Sequence, residues 1–289
     1  MYTLKNNHLR IKINTLGAEL VSVINDDYEY LWQADPKFWN KTSPILFPIV
    51  GRLANDAYFI DNERFEMPQH GFARDMDFEL LSESQNEIWF RIVDTPETKK
   101  MYPFEFELRV GYRLEENRVM VLWEVINNSD VSMPFSIGAH PGFNADPELE
   151  DYALQMTVNK DISTRFIDNG KFVELRDDAE KIIEGLPFLP LNKDFFKEYP
   201  TLVLEGESEI TLRSYYDERA VDVIFEDFPL VGIWSPINSA GDVAPFVCIE
   251  PWFGIADISQ ESGDLRGKFG INVLEPATLF KAQYEMIFR

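Results

Sequence analysis

Cysteine and histidine are scarce in this chain of 289 residues, which contains one cysteine, Cys248, and three histidines. A single cysteine excludes an intramolecular disulfide and a zinc site built from several cysteines. No apolar run approaches the ~18 residues of a membrane-spanning helix, and the first residues, MYTLKNNHLRIKIN, lack the apolar centre of a secretory signal. These absences predict a cytoplasmic protein that does not span a membrane.

Basic residues are also few. Lys and Arg number 27 against 50 Asp and Glu, which gives a formal net charge of −23. A surface this acidic repels nucleic acid and anionic membranes, and no basic block offsets it locally. The sequence therefore predicts neither nucleic acid nor a membrane as a partner, and solubility alone explains the acidity.

Helical periodicity is rare, and the dominant pattern has a period of two. In residues 104–114, FEFELRVGYRL, apolar or aromatic side chains alternate with polar or small ones, which is typical of a strand with one buried face. The turn residues EEN connect it to RVMVLWEVIN, so the two segments predict a β-hairpin. Further strands are predicted at HLRIKIN, EIWFRIVD, TLVLEG, EITLRS, AVDVIFED, PFVCIE and QYEMIFR.

Only residues 175–186 and 191–199 resemble helices, and both segments are short. No internal repeat, low-complexity tract or Pro/Gly/Ser-rich linker marks a domain boundary. All-β sandwiches and barrels reach ~200–250 residues as one domain. We therefore predict an all-β fold, a large antiparallel β-sandwich or barrel with a few short helices, that forms one domain over residues 1–289.

Glu250 has the chemistry of a general base. It follows the apolar run PFVCI and precedes Pro-Trp-Phe-Gly, so it is predicted at the end of a buried strand. Burial raises the pKa of a carboxyl group toward the range that suits a general base. The structural alternative is a glutamate that caps the strand and bonds loop amides.

His140 has the chemistry of a general acid, because an imidazole titrates near neutral pH. It lies in the segment SIGAHPGFN, where the preceding residues predict a strand and Pro141 with Gly142 predicts a sharp turn. The structural alternative is a core histidine bonded to a backbone carbonyl.

Further motifs could bind a polyhydroxylated ligand. A second histidine and an arginine lie in MPQHGFARD, another arginine follows a glycine in PIVGRLANDAY, and aromatic residues accompany each motif. Sugar hydroxyls need directional donors and acceptors, and the apolar face of a sugar ring packs on aromatic side chains. The candidate ligand-binding residues are Arg52, His70, Phe72, Arg74, Phe143 and Trp252.

The order of these motifs, Gly-Arg, His-Gly-Phe, Ala-His-Pro-Gly-Phe and Glu-Pro-Trp, resembles the aldose 1-epimerase (galactose mutarotase) family. Within the family, the chain is most similar to the subgroup typified by the LacX proteins of lactose operons. The motifs GRLAND, HGFAR and GAHPGFN are each moderately specific, and together in this order they are a strong signal. The resemblance extends from LGAEL near the N-terminus to VLEP near the C-terminus.

The resemblance implies a super-sandwich of β-sheets and a cofactor-free, metal-free isomerase that interconverts the α and β anomers of an aldohexose. By motif, His140 protonates the ring oxygen and Glu250 removes the proton of the C1 hydroxyl. Arg52 and His70 match positions that bind the sugar. The implied partner is a small-molecule sugar.

One position departs from the family pattern. Many members carry a late aspartate that binds sugar hydroxyls, whereas the matching stretch here, FFKEYPTLVL, has only Glu198 nearby. The identity of the sugar therefore stays open at this point. Because no second group of Lys or Arg accompanies the motifs, we expect a neutral hexose to be preferred over its 6-phosphate.

Two other functions compete with catalysis of anomer exchange. A sugar-binding or regulatory protein on the same scaffold would need no matched acid and base. A cupin-like metalloenzyme would use His70, His140 and Glu250 as a facial triad, but the usual pair of histidines separated by one residue is missing.

Overall fold

The computed structural model describes residues 1–156, 163–168, 171–174, 188–258 and 263–289. Strands dominate these ranges, and the bounds of the first fourteen are β1 (Tyr2–Lys5), β2 (Leu9–Ile13), β3 (Leu20–Asn25), β4 (Tyr28–Glu29), β5 (Ile45–Leu46), β6 (Ala57–Ile60), β7 (Glu63–Glu66), β8 (Glu79–Glu83), β9 (Glu87–Val93), β10 (Phe106–Glu115), β11 (Arg118–Asn127), β12 (Met133–Phe135), β13 (Ile137–Ala139) and β14 (Gly142–Asn144). The later strands are β15 (Tyr152–Met156), β16 (Ser163–Ile167), β17 (Val173–Glu174), β18 (Phe188–Pro190), β19 (Thr201–Glu205), β20 (Glu209–Ser214), β21 (Ala220–Ile224), β22 (Leu230–Trp234), β23 (Phe246–Phe253), β24 (Asn272–Leu274) and β25 (Leu279–Phe288).

Two short α-helices accompany the strands in these ranges. The predicted helix in residues 191–199 is confirmed as α2 (Lys193–Glu198), which begins where the Asn192 side chain accepts a hydrogen bond from the N–H of Phe195. The sequence prediction missed α1 (Pro96–Lys99), a single turn capped by Thr95. The helix predicted in residues 175–186 lies outside the described residues. No helix in the described ranges is both long and apolar enough to cross a membrane.

Among the described residues the strands form two large antiparallel sheets and three small ones, which confirms the all-β prediction. The nine-stranded sheet has the order β18-β15-β20-β21-β25-β11-β10-β9-β8. The other large sheet has the order β17-β16-β19-β22-β23-β13-β5, and β14 also pairs with β23. The small sheets are β1-β2-β3-β4, β6-β7 and β12-β24.

The main core lies between the two large sheets. Alternate residues of β10, among them Leu108 and Val110, share one buried apolar cluster with Val247 and Ile249 of β23. The polar residues of β10 face the other way, where Arg109 pairs with glutamates on the outer surface. The predicted hairpin is confirmed, with β10 and β11 in register over their full length.

Strand β23 is the structural centre of the second sheet, because it is buried on both faces. Val247 and Ile249 point into the main core, so Cys248, Glu250 and Trp252 point to the opposite face. Glu250 is therefore in the middle of a strand, and the prediction that it ends one is wrong. The strand continues through Pro251 to Phe253, paired on both sides, since β22 borders it on one edge and β13 with β14 on the other.

Candidate active site

His140 and Glu250 meet because β13 and β14 pair with β23 in one continuous register. Gly138 faces Trp252, and Gly142 faces Cys248. His140 is midway between Gly138 and Gly142, and Glu250 is midway between Cys248 and Trp252, so His140 lies opposite Glu250. The backbone ladder is interrupted at His140 and Pro141 and then resumes in the same direction. The prediction of a sharp turn at Pro141 and Gly142 is wrong. Proline has no N–H to donate to the ladder, but the chain does not reverse there, because β13 before it and β14 after it both pair with β23.

The imidazole of His140 is packed between two indoles. The ring of Trp39 stacks on it with centroids 4.8 Å apart and planes 29° apart, and the ring of Trp234 meets it edge-on at 5.3 Å. The ring of His70 approaches from a third direction at 5.7 Å. These contacts hold the imidazole with its Nε2 atom 3.2 Å from Oε2 of Glu250.

Burial sets the protonation of this pair. It lowers the pKa of His140 to about 3, and the nearby charge of Arg74 acts in the same direction. Burial also raises the pKa of Glu250 well above its usual value. Both shifts favour a neutral imidazole beside a protonated carboxyl, because charged forms are costly in a dry site. Together the two side chains hold one transferable proton.

Both side chains also have unsatisfied polar atoms. Within the described part of the chain, neither Nδ1 of His140 nor Oε2 of Glu250 has a partner in hydrogen-bond geometry. Nε2 of His140 and Oε2 of Glu250 are close, at 3.2 Å, but they are not aligned for a hydrogen bond. An unsatisfied buried polar group costs ~1–3 kcal/mol, and such groups in a cavity wall are suited to a polar ligand.

The pair lies in the wall of a cavity of about 330 Å³, a size suited to a small molecule. Five of the eight predicted site residues line this cavity: His70, Arg74, His140, Glu250 and Trp252. The other lining residues are Trp39, Gly51, Gln69, Ile167, Asp168, Lys171, Pro200, Thr201 and Trp234.

His70 is held in one orientation by the Gly51 backbone. The N–H of Gly51 donates to Nδ1 of His70 at 3.1 Å, and the N–H of His70 donates to the carbonyl of Gly51 at 2.8 Å. Burial lowers the pKa of His70 well below its usual value, so the neutral ring carries its proton on Nε2. That atom lies 3.0 Å from Nε2 of Gln69, which is also a donor, so this contact does not satisfy the N–H of His70.

The turn that carries His70 needs unusual backbone angles. His70 has φ +65° and Gly71 has φ +69°, both in the left-handed region. A Cβ on Gly71 would also collide with the backbone of Phe47, so glycine is required there. The backbone conformation of this turn therefore explains the sequence His-Gly, in addition to the chemistry of the imidazole.

Trp252 lies flat on its sheet because two neighbours are glycines. A Cβ on Gly138 would lie 2.6 Å from Cδ1 of the indole, and one on Gly232 would overlap the far end of the same ring. The indole N–H donates to the carbonyl of Ala139 at 3.2 Å. The ring is thus fixed as an apolar wall of the cavity, next to Glu250.

Two predicted aromatic residues are not in the cavity. Phe143 and Phe72 are buried in the main core, where Phe72 contacts the rings of Phe47 and Phe106. Phe143 is adjacent to the site in sequence, but alternation along β14 turns it to the core side of the sheet. The prediction that these two residues contact a sugar is wrong.

Arg52 is also outside the cavity. Its guanidinium makes two hydrogen bonds with Asp56, at 2.7 and 2.8 Å, in a neighbouring groove. Arg74 is inside, where its Nη2 atom donates to the carbonyl of Gln69 at 2.8 Å. The ion pair of Arg74 with Asp75 is long, with Nε and Oδ2 3.7 Å apart.

Sequence reasoning missed a cation and an acid in the cavity wall. Lys171 lines the cavity and donates to Oε1 of Gln69 at 2.7 Å, so the fold brings one cation to the cavity from outside the motifs. Asp168 also lines the cavity, from the end of β16. Glu198, the last residue of α2, does not line the cavity and accepts a hydrogen bond from the hydroxyl of Tyr199. No local pattern marks Lys171 or Asp168, which follow an ordinary strand.

Trp39 and Trp234 were missed for a different reason. Trp234 alternates with Ile233 on β22, and only its pairing with Cys248 shows that it shares the face of Glu250. Trp39 is in a loop whose position depends on tertiary contacts, including the hydrogen bond from the indole of Trp32 to its carbonyl. The sequence feature that could have pointed to Trp39 is the pair of adjacent aromatic residues in QADPKFWN.

The sequence model of the family described as aldose 1-epimerase matches residues 1–268. The chain belongs to the aldose 1-epimerase family. The plasmid-encoded protein LacX of Lactococcus lactis subsp. lactis is 34% identical over 98% of this chain and 97% of its own length. Membership supports a sugar epimerase-like function of the isomerase type and a sugar as the ligand.

Solved structures give the same fold. A galactose mutarotase related enzyme from Lactobacillus acidophilus superposes with a TM-score of 0.91 at 36% identity, covering 100% of this chain and 97% of that one. A galactose mutarotase-like protein from Lactobacillus casei gives 0.90 at 32% identity and full coverage of both chains. The predicted mutarotase-like β-sandwich is confirmed.

Proposed function

We propose that the protein is an aldose 1-epimerase that interconverts the α and β anomers of an aldohexose. The observation that supports this most directly is the buried pair of His140 and Glu250, 3.2 Å apart in the wall of a small-molecule cavity. Family membership supports the same reaction. Anomer exchange requires one proton to leave the C1 hydroxyl and one to reach the ring oxygen, which an adjacent acid and base can supply.

The reaction starts with an ionised Glu250 and a protonated His140. Before a sugar binds, the shared proton favours the carboxyl. To reach the starting state of the reaction, it must move to Nε2 of His140 when a sugar binds. The sugar hydroxyls favour this state because they donate hydrogen bonds to the carboxylate and replace some of its lost solvation. Glu250 and His140 then form an ion pair with the same total number of protons.

The chemical step uses both members of the pair. Glu250 takes the proton of the C1 hydroxyl while His140 gives its proton to the ring oxygen, and the bond between C1 and that oxygen breaks. The aldehyde rotates about the C1–C2 bond. The freed hydroxyl then attacks the other face of C1, returns its proton to His140, and the new C1 oxygen regains a proton from Glu250. The residues end as they began.

The remaining wall of the cavity suits a sugar. The rings of Trp39, Trp234 and Trp252 offer apolar faces, and His70 with Gln69 offers polar groups for hydroxyls. We assign the binding of hydroxyl groups to His70, Gln69, Arg74 and Asp168, in place of the late aspartate of other family members.

The decisive experiment follows anomer exchange directly. Freshly dissolved α-anomers of several aldohexoses are mixed with the protein, and the approach to equilibrium is recorded by polarimetry and by exchange NMR. Catalysis is expected for at least one sugar, and loss of catalysis in Glu250→Gln ties it to this site. Sugar binding without any acceleration would instead support a binding or regulatory protein on the same scaffold.

A further inference from the structure

Cys248 lies beside the acid–base pair. It is two residues before Glu250 on β23 and points to the same face of the sheet. A nitrogen of His140, the sulfur of Cys248 and a carboxylate oxygen of Glu250 all lie within 4.8 Å of one another. Among the described residues, these three buried side chains are the group of His, Cys and acidic residues close enough to share a metal ion. The facial triad with His70 is not formed.

The spacing of the three ligand atoms is close to that around zinc. Tetrahedral zinc binds sulfur at ~2.3 Å and nitrogen or oxygen at ~2.0–2.2 Å, so its ligand atoms are roughly 3.3–3.8 Å apart. The 3.2 Å between Nε2 of His140 and Oε2 of Glu250 matches one such edge. All three ligand atoms lie within 4.8 Å of one another, so the sulfur of Cys248 reaches that spacing with a shift of at most about 1.5 Å.

Charge and hydrogen bonding also favour an ion at this position. A thiolate and a carboxylate together balance a divalent cation, and a neutral assembly is the form that a dry interior tolerates. Oε2 of Glu250, one of the two ligand atoms on that edge, is buried and has no hydrogen-bond partner in the described chain. Because His140 and Glu250 line the cavity, a small ion can reach them, and the fourth zinc position is left for water.

We propose that His140, Cys248 and Glu250 form an inhibitory site for a thiophilic divalent cation of the zinc type. The ion would occupy the two groups that carry protons in anomer exchange, so it acts against the reaction and is not a cofactor. The inhibition rests on the proposed function, whereas the binding of metal does not.

Metal binding is tested first, with the tag-free full chain after dialysis against a chelator. Zn²⁺ affinity is measured by competition with a chromophoric chelator, and Co²⁺ is added separately as a spectroscopic probe. We expect one Zn²⁺ per chain at this site and a thiolate-to-cobalt charge-transfer band. Because the chain has one cysteine, such a band reports Cys248 without any variant.

Two variants then test the ligand assignment. Cys248→Ser keeps the size of the side chain and Cys248→Ala removes the ligand atom, and thermal unfolding shows whether each is folded. Removing a group that hydrogen-bonds to a metal ligand lowers metal affinity by ~10–100-fold. Removing the thiolate ligand itself should therefore lower Zn²⁺ affinity by at least that much in both variants. Equal Zn²⁺ affinity in all three proteins, or a wild-type protein with no charge-transfer band, would overturn the proposal.

Inhibition is tested last. The dialysed wild type should catalyse anomer exchange and lose activity as ZnCl₂ fills the site, whereas Cys248→Ala should stay active at the same concentrations. Zn²⁺ that binds through Cys248 while leaving exchange unaffected would overturn the inhibitory role. A protein that binds Zn²⁺ through Cys248 but never catalyses exchange would count against the proposed function and leave the metal site standing.

Discussion

His140 and Glu250 face each other across two antiparallel strands, with Nε2 and Oε2 3.2 Å apart and both side chains buried. A backbone register, rather than a flexible loop, sets this distance. The pair is therefore pre-positioned for proton transfer, and the rigid indoles of Trp39 and Trp234 limit its motion.

Replacement of Glu250 by Gln should abolish most of the activity. The amide keeps the size of the carboxyl but cannot accept a proton, so turnover should fall by about 10²–10⁴-fold. Sugar affinity, followed by tryptophan fluorescence, should change little. The matched control is Glu198→Gln, at a position outside the cavity, which should retain full activity. Near-normal exchange in Glu250→Gln would remove Glu250 from the mechanism.

The same substitution should stabilise the protein in a pH-dependent way. Because burial raises the pKa of Glu250 in the folded state above its unfolded value, the wild type loses stability as the pH rises from about the unfolded pKa to the folded one. Gln has no proton to lose. The melting temperature of Glu250→Gln should therefore exceed that of the wild type by a margin that grows with pH over this window. A difference in melting temperature that does not change with pH would contradict the raised pKa of Glu250.

Gly232→Ala should displace the indole of Trp252 and weaken sugar binding. The added methyl group overlaps the ring, and overpacking of this kind costs ~1–3 kcal/mol. We expect a lower melting temperature and a higher KM. Gly267→Ala is the matched control, because a Cβ there meets no atom within 4 Å. Equal effects of the two substitutions would show that the packing of Trp252 is unimportant.

His70→Asn should raise KM with a smaller effect on kcat. Asn tolerates the left-handed backbone at this position but does not reach as far into the cavity, and the loss of about one hydrogen bond raises KM by about tenfold. Arg52→Gln should change KM by about twofold or less, since Arg52 is paired with Asp56 outside the cavity. Steady-state kinetics of anomer exchange compare the two. A larger effect at Arg52 would mean that the sugar extends into the neighbouring groove.

A neutral hexose should be turned over better than its 6-phosphate. Arg74 and Lys171 line the cavity, but each already donates to Gln69, and the carboxylate of Asp168 lies among the same lining residues. The net charge of −23 also repels a dianion. Exchange NMR at low and high salt, on wild type and Lys171→Gln, measures the preference. If the 6-phosphate is turned over faster, and this preference decreases at high salt and in Lys171→Gln, the prediction of a neutral substrate is wrong.

The sequence by itself determined the fold class, the strand segments and the motifs that carry His70, His140 and Glu250. Period-two alternation predicts strands because the two faces of a strand have different environments, and β10 with β11 formed as predicted. Gly-rich and Pro-rich motifs are readable because each needs a particular backbone, as Gly71 does with its positive φ.

Only the tertiary structure decided which side chains share the cavity. TLVLEG and EITLRS are consecutive strands, yet β19 and β20 lie in different sheets, and a sequence pattern does not specify a strand's partners. Phe143 and Trp252 are both aromatics beside a motif, and register sends one to the core and the other to the cavity. Lys171 reaches Gln69 across about a hundred residues, because side-chain contacts between distant segments depend on how the sheets pack and leave no local periodicity in the chain.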